Sequence, residues 1–284
     1  MKIVDLKTDN RKDNNNVGRA IPVFGWRAEG TERNIRQKSY RLQVWKTESP
    51  EEILAEPFPV WDSGTVCSSS MANIPYEGKK LDSGSRYRWQ VECTLDYEDG
   101  EKNTTEEAWF ETGLFSMDDW KGCFIGETED HVYHLYRKAF TCERKVKKAR
   151  LYVCGLGHFE CWLNGKRVSD HVLEPGWADY DKTCFYTAYD VAGQLENGKN
   201  ALLVKLGDGM FNVPGGRYVY FPRTYGKCKL LLQLELLFED GTTERVVTDS
   251  SWKMTPSPIR FCCIYGGEDY DGRLWKEEYL SGDF

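Results

Sequence analysis

The sequence lacks most of the short motifs that mark common enzyme sites. It contains neither the nucleophile elbow G-x-S-x-G nor a P-loop, and it has only four histidines and no C-x-x-C pair. A zinc site is therefore not expected. No apolar run approaches the roughly 18 residues of a membrane span. The start, MKIVDLKTDNRKDNNN, has no apolar segment of signal-peptide length, so the sequence does not predict export.

Positive charge is also in short supply. Lys and Arg total 38 against 45 Asp and Glu, giving a formal net charge of -7. Because nucleic acids and anionic membranes attract basic surfaces, we expect neither as a partner. The ten cysteines show no disulfide-framework spacing, and several, such as Cys154 and Cys228, lie in apolar runs. Buried thiols behave as small hydrophobes, so we expect a reduced, cytoplasmic protein.

Helical periodicity is scarce, whereas aromatic residues make up 14% and turn signals recur throughout. This pattern is typical of an all-β chain. The stretches SYRLQVW (39–45), RYRWQVECTL (86–95) and EAWFETG (107–113) predict strands, the second with Tyr87, Trp89, Val91, Cys93 and Leu95 facing inward. We therefore predict a polar N-terminal arm over 1–20 and a fibronectin-III-like β-sandwich over 21–114.

The second half predicts a longer β-sandwich of jelly-roll type over 115–284, after a connection at 113–122. Asn164-Gly165 and Asp240-Gly241 each sit between alternating strands, which predicts two hairpins. One short helical turn, capped by Gly198, is expected within 188–198. The last residues, 277–284, stop inside what we interpret as a continuing β segment, which indicates that this domain is truncated.

Several motifs, taken in order, resemble a known family. The run 151–191 is similar to the N-terminal β-sandwich region of bacterial α-L-rhamnosidases, glycoside hydrolase family 78. The matching pieces are GLGHFE (155–160), Asn164-Gly165, PGWADY (175–180), YDV (189–191), the run 198–213 and SPIRFCCIYGGEDYDGR (257–273). In the first half YRLQV, WDSG, IPYEGKKLDSGSRYRWQV and WFETGL resemble the fibronectin-like domain that precedes it.

The resemblance implies that catalysis lies elsewhere. Family members carry their two catalytic carboxylates on a separate (α/α)6 barrel, and nothing in this chain resembles that barrel. Such a barrel needs about a dozen amphipathic helices, which the periodicity does not provide. We therefore assign no catalytic residue here and leave open whether the chain alone is an enzyme. The missing barrel becomes an expected partner.

The segment IYGGEDYDGR (264–273) concentrates charge, with Glu268, Asp269, Asp271 and Arg273 within six residues. Three interpretations remain: a structural loop held by Arg–carboxylate pairs, a ligand or calcium rim, and a catalytic pair. Hydrolysis would require one carboxyl with a raised pKa, whereas a neighbouring guanidinium keeps carboxylates ionised. We favour the structural interpretation.

The loop GDGMFNVPGGRYVYF (207–221) is a stronger candidate for ligand binding. It places Asp208, Asn212, Arg217 and Tyr218 among further aromatic residues. Proteins bind sugars by stacking aromatic faces on C–H surfaces and by polar bonds to hydroxyls. The alternative is that these aromatics are core and the glycines only form turns. His158 is interpreted as packing.

The loop EPGWADYDK (174–182) adds Trp177, Asp179, Tyr180 and Asp181. Some family members have a domain similar to carbohydrate-binding module family 67, which binds L-rhamnose with calcium. That resemblance makes Trp177, Asp179 and Tyr180 candidates for sugar binding, and it makes Asp179 and Asp181 candidate calcium ligands. A surface turn capped by aspartate is the alternative.

The sequence leaves two functional hypotheses in front. In the first, the chain supports a rhamnosidase by binding rhamnose-containing glycans or by completing the barrel. In the second, it is a structural or oligomerisation module without sugar affinity, and a second copy is a candidate partner. An autonomous enzyme is the third and least favoured reading.

Overall fold

The computed structural model describes residues 2–11, 15–31, 34–48, 58–97, 100–129, 131–217 and 222–283. Within these ranges the chain is all-β, as predicted, with four short 3₁₀ helices and no α-helix. None of the described helices is long and apolar enough to cross a membrane. The chain divides into two compact units, residues 1–119 and 120–284. This division falls inside the predicted connection at 113–122.

Unit 1 is built from a three-stranded and a five-stranded sheet. The orders are β1-β3-β6 and β2-β8-β7-β4-β5, and β2 pairs with β8 in parallel while the other pairs are antiparallel. The strands are β1 Lys2–Thr8, β2 Asn15–Val17, β3 Val23–Glu29, β4 Arg36–Thr47, β5 Trp61–Asp62, β6 Ile74–Pro75, β7 Arg86–Tyr97 and β8 Gly100–Thr112, followed by a 3₁₀ helix at Met117–Asp119.

Alternation in β7 produces the core of unit 1. The five residues predicted to face inward are each at most 2% exposed: Tyr87, Trp89, Val91, Cys93 and Leu95. Because successive side chains of a strand point to opposite faces, this period-two pattern fixes the register of the sheet. The Trp89 ring packs against Phe24 with centroids 4.7 Å apart.

Residues 1–20 contain more structure than the expected polar arm. Strand β1 pairs with β3, and Ile3 and Val17 are 2% and 1% exposed within the core of unit 1. The ladder is irregular between Val4 and Lys7, where Asp5 has a φ of 58°. A single irregularity of this kind breaks the alternation that sequence reading relies on. The polar composition therefore hides a strand in which Ile3 is buried and Leu6 packs, partly buried, against the same core.

Unit 2 is a sandwich of two antiparallel sheets with two small hairpins beside it. The orders are β13-β12-β15-β10-β20 and β14-β11-β18-β19, with β9 also pairing with β18. The strands are β9 Ile125–Gly126, β10 His134–Cys142, β11 Val146–Leu156, β12 His158–Leu163, β13 Lys166–Arg167, β14 Thr187–Asp190, β15 Gly198–Gly207, β16 Asn212–Val213, β17 Arg223–Thr224, β18 Lys229–Phe238, β19 Thr243–Val247, β20 Lys253–Pro256, β21 Ile259–Cys263 and β22 Gly267–Tyr270.

The predicted hairpins of unit 2 form where the turn chemistry requires. Asn164 and Gly165 have φ values of 51° and 79°, so both central positions of the β12–β13 turn are left-handed. Only glycine, asparagine and aspartate adopt this region at low cost. The β18–β19 hairpin turns at Asp240-Gly241, with Gly241 at φ 80°. Both sheets bury leucine-rich inner faces against each other.

Two expectations for unit 2 require correction. The short helical turn exists at Ala192–Gln194, but Leu195 ends it and Gly198 instead begins strand β15. The final segment is not a continuing strand, because 3₁₀ helices lie at Gly272–Leu274 and Glu277–Leu280. Tyr279 packs there against Leu135 and Leu203. Sequence alternation did not reveal this, since the segment covers a sheet rather than extending it.

Candidate functional site

Unit 2 carries a groove whose floor is the outer face of strands β12 and β15. Along β12, Phe159, Cys161 and Leu163 enter the core, which turns His158, Glu160 and Trp162 to the other face. The strand register places Glu160 opposite Lys205. The loop at 171–173 and the β21–β22 hairpin form the walls. The groove encloses about 370 Å³, a volume within the range of small-molecule sites.

Lys205 is the central charged group on this floor. Its Nζ atom lies 2.5 Å from Oε2 of Glu160, and its side chain is 16% exposed. The same ammonium lies 5.9 Å from the ring centroid of Trp162 and 5.5 Å from that of Tyr270. Oε1 of Glu160 is 3.2 Å from the Arg167 guanidinium. An ammonium has three N–H donors, so Lys205 can hold Glu160 and still donate to a bound hydroxyl.

The walls of the groove differ in character. One wall carries Val172 and Leu173, which are 75% and 61% exposed. Leu173 lies at the groove rim with a φ of 59°, which is a strained conformation for a residue with a Cβ atom. The opposite wall supplies Glu268 from strand β22. The groove thus combines aliphatic and aromatic surface with several hydrogen-bonding groups.

His158 lies at the inner end of the groove, beneath the backbone of Gly209. A Cβ atom on Gly209 would approach the His158 ring to 2.9 Å, and Gly209 has a φ of 56°, so only glycine fits. Burial lowers the pKa of His158, which favours the neutral ring. His158 therefore packs against Gly209 and also lines the groove.

The charged segment 264–273 contains two ion pairs formed with different arginines. The Asp271 carboxylate accepts hydrogen bonds of 2.8 and 2.7 Å from the Arg273 guanidinium, and it also caps the following 3₁₀ helix. The Asp269 carboxylate accepts hydrogen bonds of 2.7 and 2.6 Å from the Arg217 guanidinium, which also lies over the Phe261 ring. The sequence suggested the first pair, whereas the second joins residues 52 positions apart.

The electrostatics of these pairs oppose a role in acid catalysis. The Arg273 side chain lowers the pKa of Asp271 to about 2, and Arg217 lowers the pKa of Asp269. A general acid in glycoside hydrolysis needs a pKa shifted in the other direction. Glu268 is the one member of the charged cluster that lines the groove.

Asp208 and Asn212 do not present an open binding surface. They are 1% and 2% exposed, and the Asn212 side-chain amide donates to Asp208 at 3.0 Å. The Tyr133 hydroxyl also donates to Asp208 at 2.5 Å, and Nδ1 of His131 lies 2.9 Å from it. A buried carboxylate needs several partners, and these provide them. Both residues therefore hold the loop together from within.

The candidates in the loop at 174–182 differ in exposure. Tyr180 is partly buried and packs against Phe211 and Tyr225, each with centroids 5.2 Å away. Trp177 is 62% exposed. Asp179 pairs with Lys182 at 2.7 Å, and Asp181 pairs with Arg223 at 2.9 Å.

The candidate calcium ligands face different partners. Asp179 and Asp181 each hold a different cationic side chain. Across the described ranges no group of three or more His, Cys, Asp or Glu residues could hold a metal ion. Arg217 is exposed and engaged with Asp269, and Tyr218 lies outside the described residues.

Sequence reasoning overlooked the charged floor of the groove, although the signal was present. Alternation in GHFECWL places Glu160 and Trp162 on one face, opposite the buried cysteine and leucine. The run NALLVKLG has Lys205 as its single charge between apolar residues. Only the cross-strand register, which the sequence does not state, brings these residues together.

Comparisons with known proteins agree with this architecture. Residues 3–116 match the family described as Rha78A-like, N-terminal immunoglobulin domain, and residues 144–284 match the α-L-rhamnosidase N-terminal domain. An α-L-rhamnosidase of Formosa agariphila is 31% identical over 294 residues, and one of Alteromonas sp. strain LOR is 35% identical over 281. Each alignment covers 93% of this chain but 30% of the relative.

Solved structures extend the similarity to three dimensions. An α-L-rhamnosidase from Dictyoglumus thermophilum has a TM-score of 0.87 and 34% identity, covering 100% of this chain and 33% of that one. The Aspergillus terreus enzyme has a TM-score of 0.83 and 28% identity, covering 99% and 32%. The chain thus spans about a third of the length of these proteins. By sequence and by fold, it belongs to the α-L-rhamnosidase family, as the N-terminal immunoglobulin-like and β-sandwich region of such proteins.

Proposed function

We propose that this chain is a non-catalytic accessory region of an α-L-rhamnosidase, and that the groove beside Glu160 and Lys205 binds rhamnose-containing glycans. One observation carries the proposal: the Glu160–Lys205 ion pair lines a groove of about 370 Å³, and the Lys205 ammonium lies 5.9 Å from the Trp162 ring centroid and 5.5 Å from that of Tyr270. Aromatic faces cover the apolar side of a sugar, and charged donors and acceptors bind its hydroxyls.

The choice of ligand rests on the relatives. The proteins matched over 93% of this chain are named α-L-rhamnosidases. An α-L-rhamnosidase of Streptomyces avermitilis, solved in complex with L-rhamnose, shares the fold with a TM-score of 0.85 at 19% identity. L-Rhamnose and short rhamnosides are therefore the first ligands to test on this chain.

Binding rather than hydrolysis is the proposed role, because the Glu160 carboxylate on the floor of the groove is engaged by two cationic side chains. Glu160 contacts Lys205 through one oxygen and Arg167 through the other. Inverting hydrolysis needs two carboxyls roughly 6.5–9.5 Å apart, one of them protonated. We expect no turnover of an aryl α-L-rhamnoside by this chain. Turnover that disappears in both Glu160→Gln and Glu268→Gln would overturn the non-catalytic assignment.

Calorimetric titration with L-rhamnose tests the binding proposal directly. We expect weak, saturable binding, as is usual for a single sugar in a shallow site. Titration with and without added calcium separates this groove from a calcium-assisted site at Asp179 and Asp181. Binding that appears only with calcium and vanishes in Asp179→Asn would move the site to the 174–182 loop. Silence in both titrations would refute sugar binding.

A second candidate function, docking or self-association, is favoured by exposed apolar side chains. Four such residues lie in the loops of unit 2: Val172, Leu173, Trp177 and Phe185, each more than half exposed. Surfaces of this kind often mark interfaces. Light scattering over a concentration series tests self-association. If the chain is a monomer at every concentration, the proposed docking partner is the remainder of a larger enzyme.

A reducing compartment is also part of this proposal, and the ten free thiols support it.

A further inference from the structure

Two cysteines of unit 2 bring their sulfur atoms together across 30 positions of sequence. The Sγ atoms of Cys154 and Cys184 lie 3.9 Å apart, and both thiols are free. Cys154 is on strand β11 and is 4% exposed. Cys184 is exposed and lies in the segment just before strand β14. The pair therefore combines one buried thiol with one that solvent can reach.

The contact makes the two thiols chemically different. The Cys154 S–H donates to Cys184, which lowers the pKa of Cys184 to about 7. The same hydrogen bond, together with burial, raises the pKa of Cys154. Since the thiolate is the nucleophile, Cys184 is the thiol that attacks an incoming reagent. Its exposure allows that reagent to approach.

We propose that Cys154 and Cys184 form a reversible modification site for low-molecular-weight disulfides, with Cys184 as the attacking thiol and Cys154 as the resolving thiol. The Cys184 thiolate attacks one sulfur of a disulfide RSSR, forming a protein–SR mixed disulfide and releasing RS⁻. Cys154 then loses its proton to solvent and attacks the Cys184 sulfur. This step forms the Cys154–Cys184 disulfide and releases a second RS⁻, so that RSSR is reduced to two thiols.

The geometry permits closure with a small local movement. A disulfide requires an S–S distance of about 2.05 Å, so one sulfur must move by roughly 2 Å. Cys154 is fixed in a sheet between β14 and β18. Cys184 lies in a segment without strand structure, between Asp179 and Thr187, and this segment can supply the movement. Closure would attach the loop that carries Trp177 and Asp179 to strand β11. The proposal does not depend on sugar binding.

Mass spectrometry of the intact chain after incubation with oxidised glutathione tests the site. Remaining thiols are alkylated under denaturing conditions, and peptides are mapped before and after reduction. We expect a Cys154–Cys184 cross-linked peptide, eight alkylated cysteines and reversal by dithiothreitol. In Cys154→Ser, the resolving thiol is missing but a hydroxyl still donates to Cys184, so a glutathione adduct should accumulate on Cys184. In Cys184→Ser, Cys154 should remain an unmodified thiol.

Cys67→Ser is the matched control, because Cys67 is an exposed cysteine of unit 1. This variant should form the Cys154–Cys184 disulfide as the parent chain does. A parent chain that keeps all ten thiols would overturn the proposal. So would preferential cross-linking of other cysteines, or the absence of an adduct on Cys184 in Cys154→Ser. Circular dichroism of each variant before oxidation confirms that the compared chains are folded.

Discussion

Glu160 and Lys205 face each other across neighbouring strands of one sheet, with Oε2 and Nζ 2.5 Å apart. The pair is mostly shielded from water on a sheet face where an isolated charge would be costly. Their position at the floor of a groove, beside the Tyr270 ring, makes this contact more than a surface ion pair.

Replacing either partner should weaken glycan binding. A charge-assisted hydrogen bond contributes about 1.5–3 kcal/mol, so Lys205→Met or Glu160→Gln should lower affinity for a rhamnoside roughly 10- to 100-fold. Calorimetric titration measures the change. Lys199→Met is the matched control, because Lys199 lies on the same strand but is exposed and paired with Asp283. Equal losses in Lys205→Met and Lys199→Met would show that the groove is not the binding site.

Two tyrosine hydroxyls should differ in their effect on stability. Tyr133→Phe removes a donor from the buried Asp208 carboxylate and should lower the free energy of unfolding by about 1–3 kcal/mol. The Tyr76 hydroxyl is buried without a hydrogen-bond partner among the described residues, and burial raises its pKa to about 12. Tyr76→Phe should therefore be neutral or slightly stabilising.

Urea denaturation monitored by tryptophan fluorescence measures both variants. Tyr133 lies in unit 2, so the transition that Tyr133→Phe moves is assigned to that unit. The interpretation of the Asp208 network fails if Tyr133→Phe leaves both transitions unchanged.

The paired aspartates of the 264–273 segment should remain ionised in mild acid. Arg273 holds the pKa of Asp271 at about 2, below its ordinary value of 3.8. A lowered folded-state pKa contributes stability above pH 3.8, and that contribution is lost as pH falls toward 2. Carboxyl NMR should therefore show Asp271 still ionised near pH 3.5. Arg273→Gln should return its midpoint toward 3.8.

Arg217→Gln provides the control for this titration. It should raise the midpoint of Asp269, which Arg217 lowers, and leave that of Asp271 unchanged. If neither arginine variant moves its own carboxylate, the ion pairs do not exist in solution. If Asp271 titrates well above 4 in the parent chain, a role as a general acid would return to consideration.

Arg137 should hold the final segment against the sheet. Arg137 is 7% exposed, and its guanidinium donates to the backbone carbonyls of Tyr279 and Ser281. Arg137→Met should speed amide hydrogen exchange across 274–283 about tenfold or more, because charge-assisted bonds of about 1.5–3 kcal/mol are lost. Lys138→Met, on the same strand with a side chain bonded to Ser251, is the control. Unchanged exchange in Arg137→Met would contradict the contact.

Sequence alternation predicted the core strands but not how distant strands meet. The inward residues of β7 and the Asn164-Gly165 turn follow from local rules, because each depends only on neighbours in sequence. Strand β1 was hidden by its polar composition and by the irregularity at Asp5. Where the backbone departs from strict alternation, buried side chains no longer recur at every second residue, and the sequence pattern does not reveal the strand.

The candidate site was the less predictable part, since it depends on register and burial. Asp208 and Asn212 have the residue types that bind sugars, yet packing places both in the interior. Glu160 and Lys205 attract no attention singly and become a site only through cross-strand pairing. The Asp269–Arg217 pair likewise joins distant segments, whereas Asp271–Arg273 is local and was expected.

Backbone amide NMR of this chain during titration with L-rhamnose is the decisive measurement for sugar binding in the groove, because it locates the binding surface residue by residue. We expect saturable shifts at Glu160, Lys205, Gly207 and Glu268, and their loss in Lys205→Met. Shifts confined to Trp177, Asp179 and Asp181, or no shifts at millimolar sugar, would refute binding in the groove.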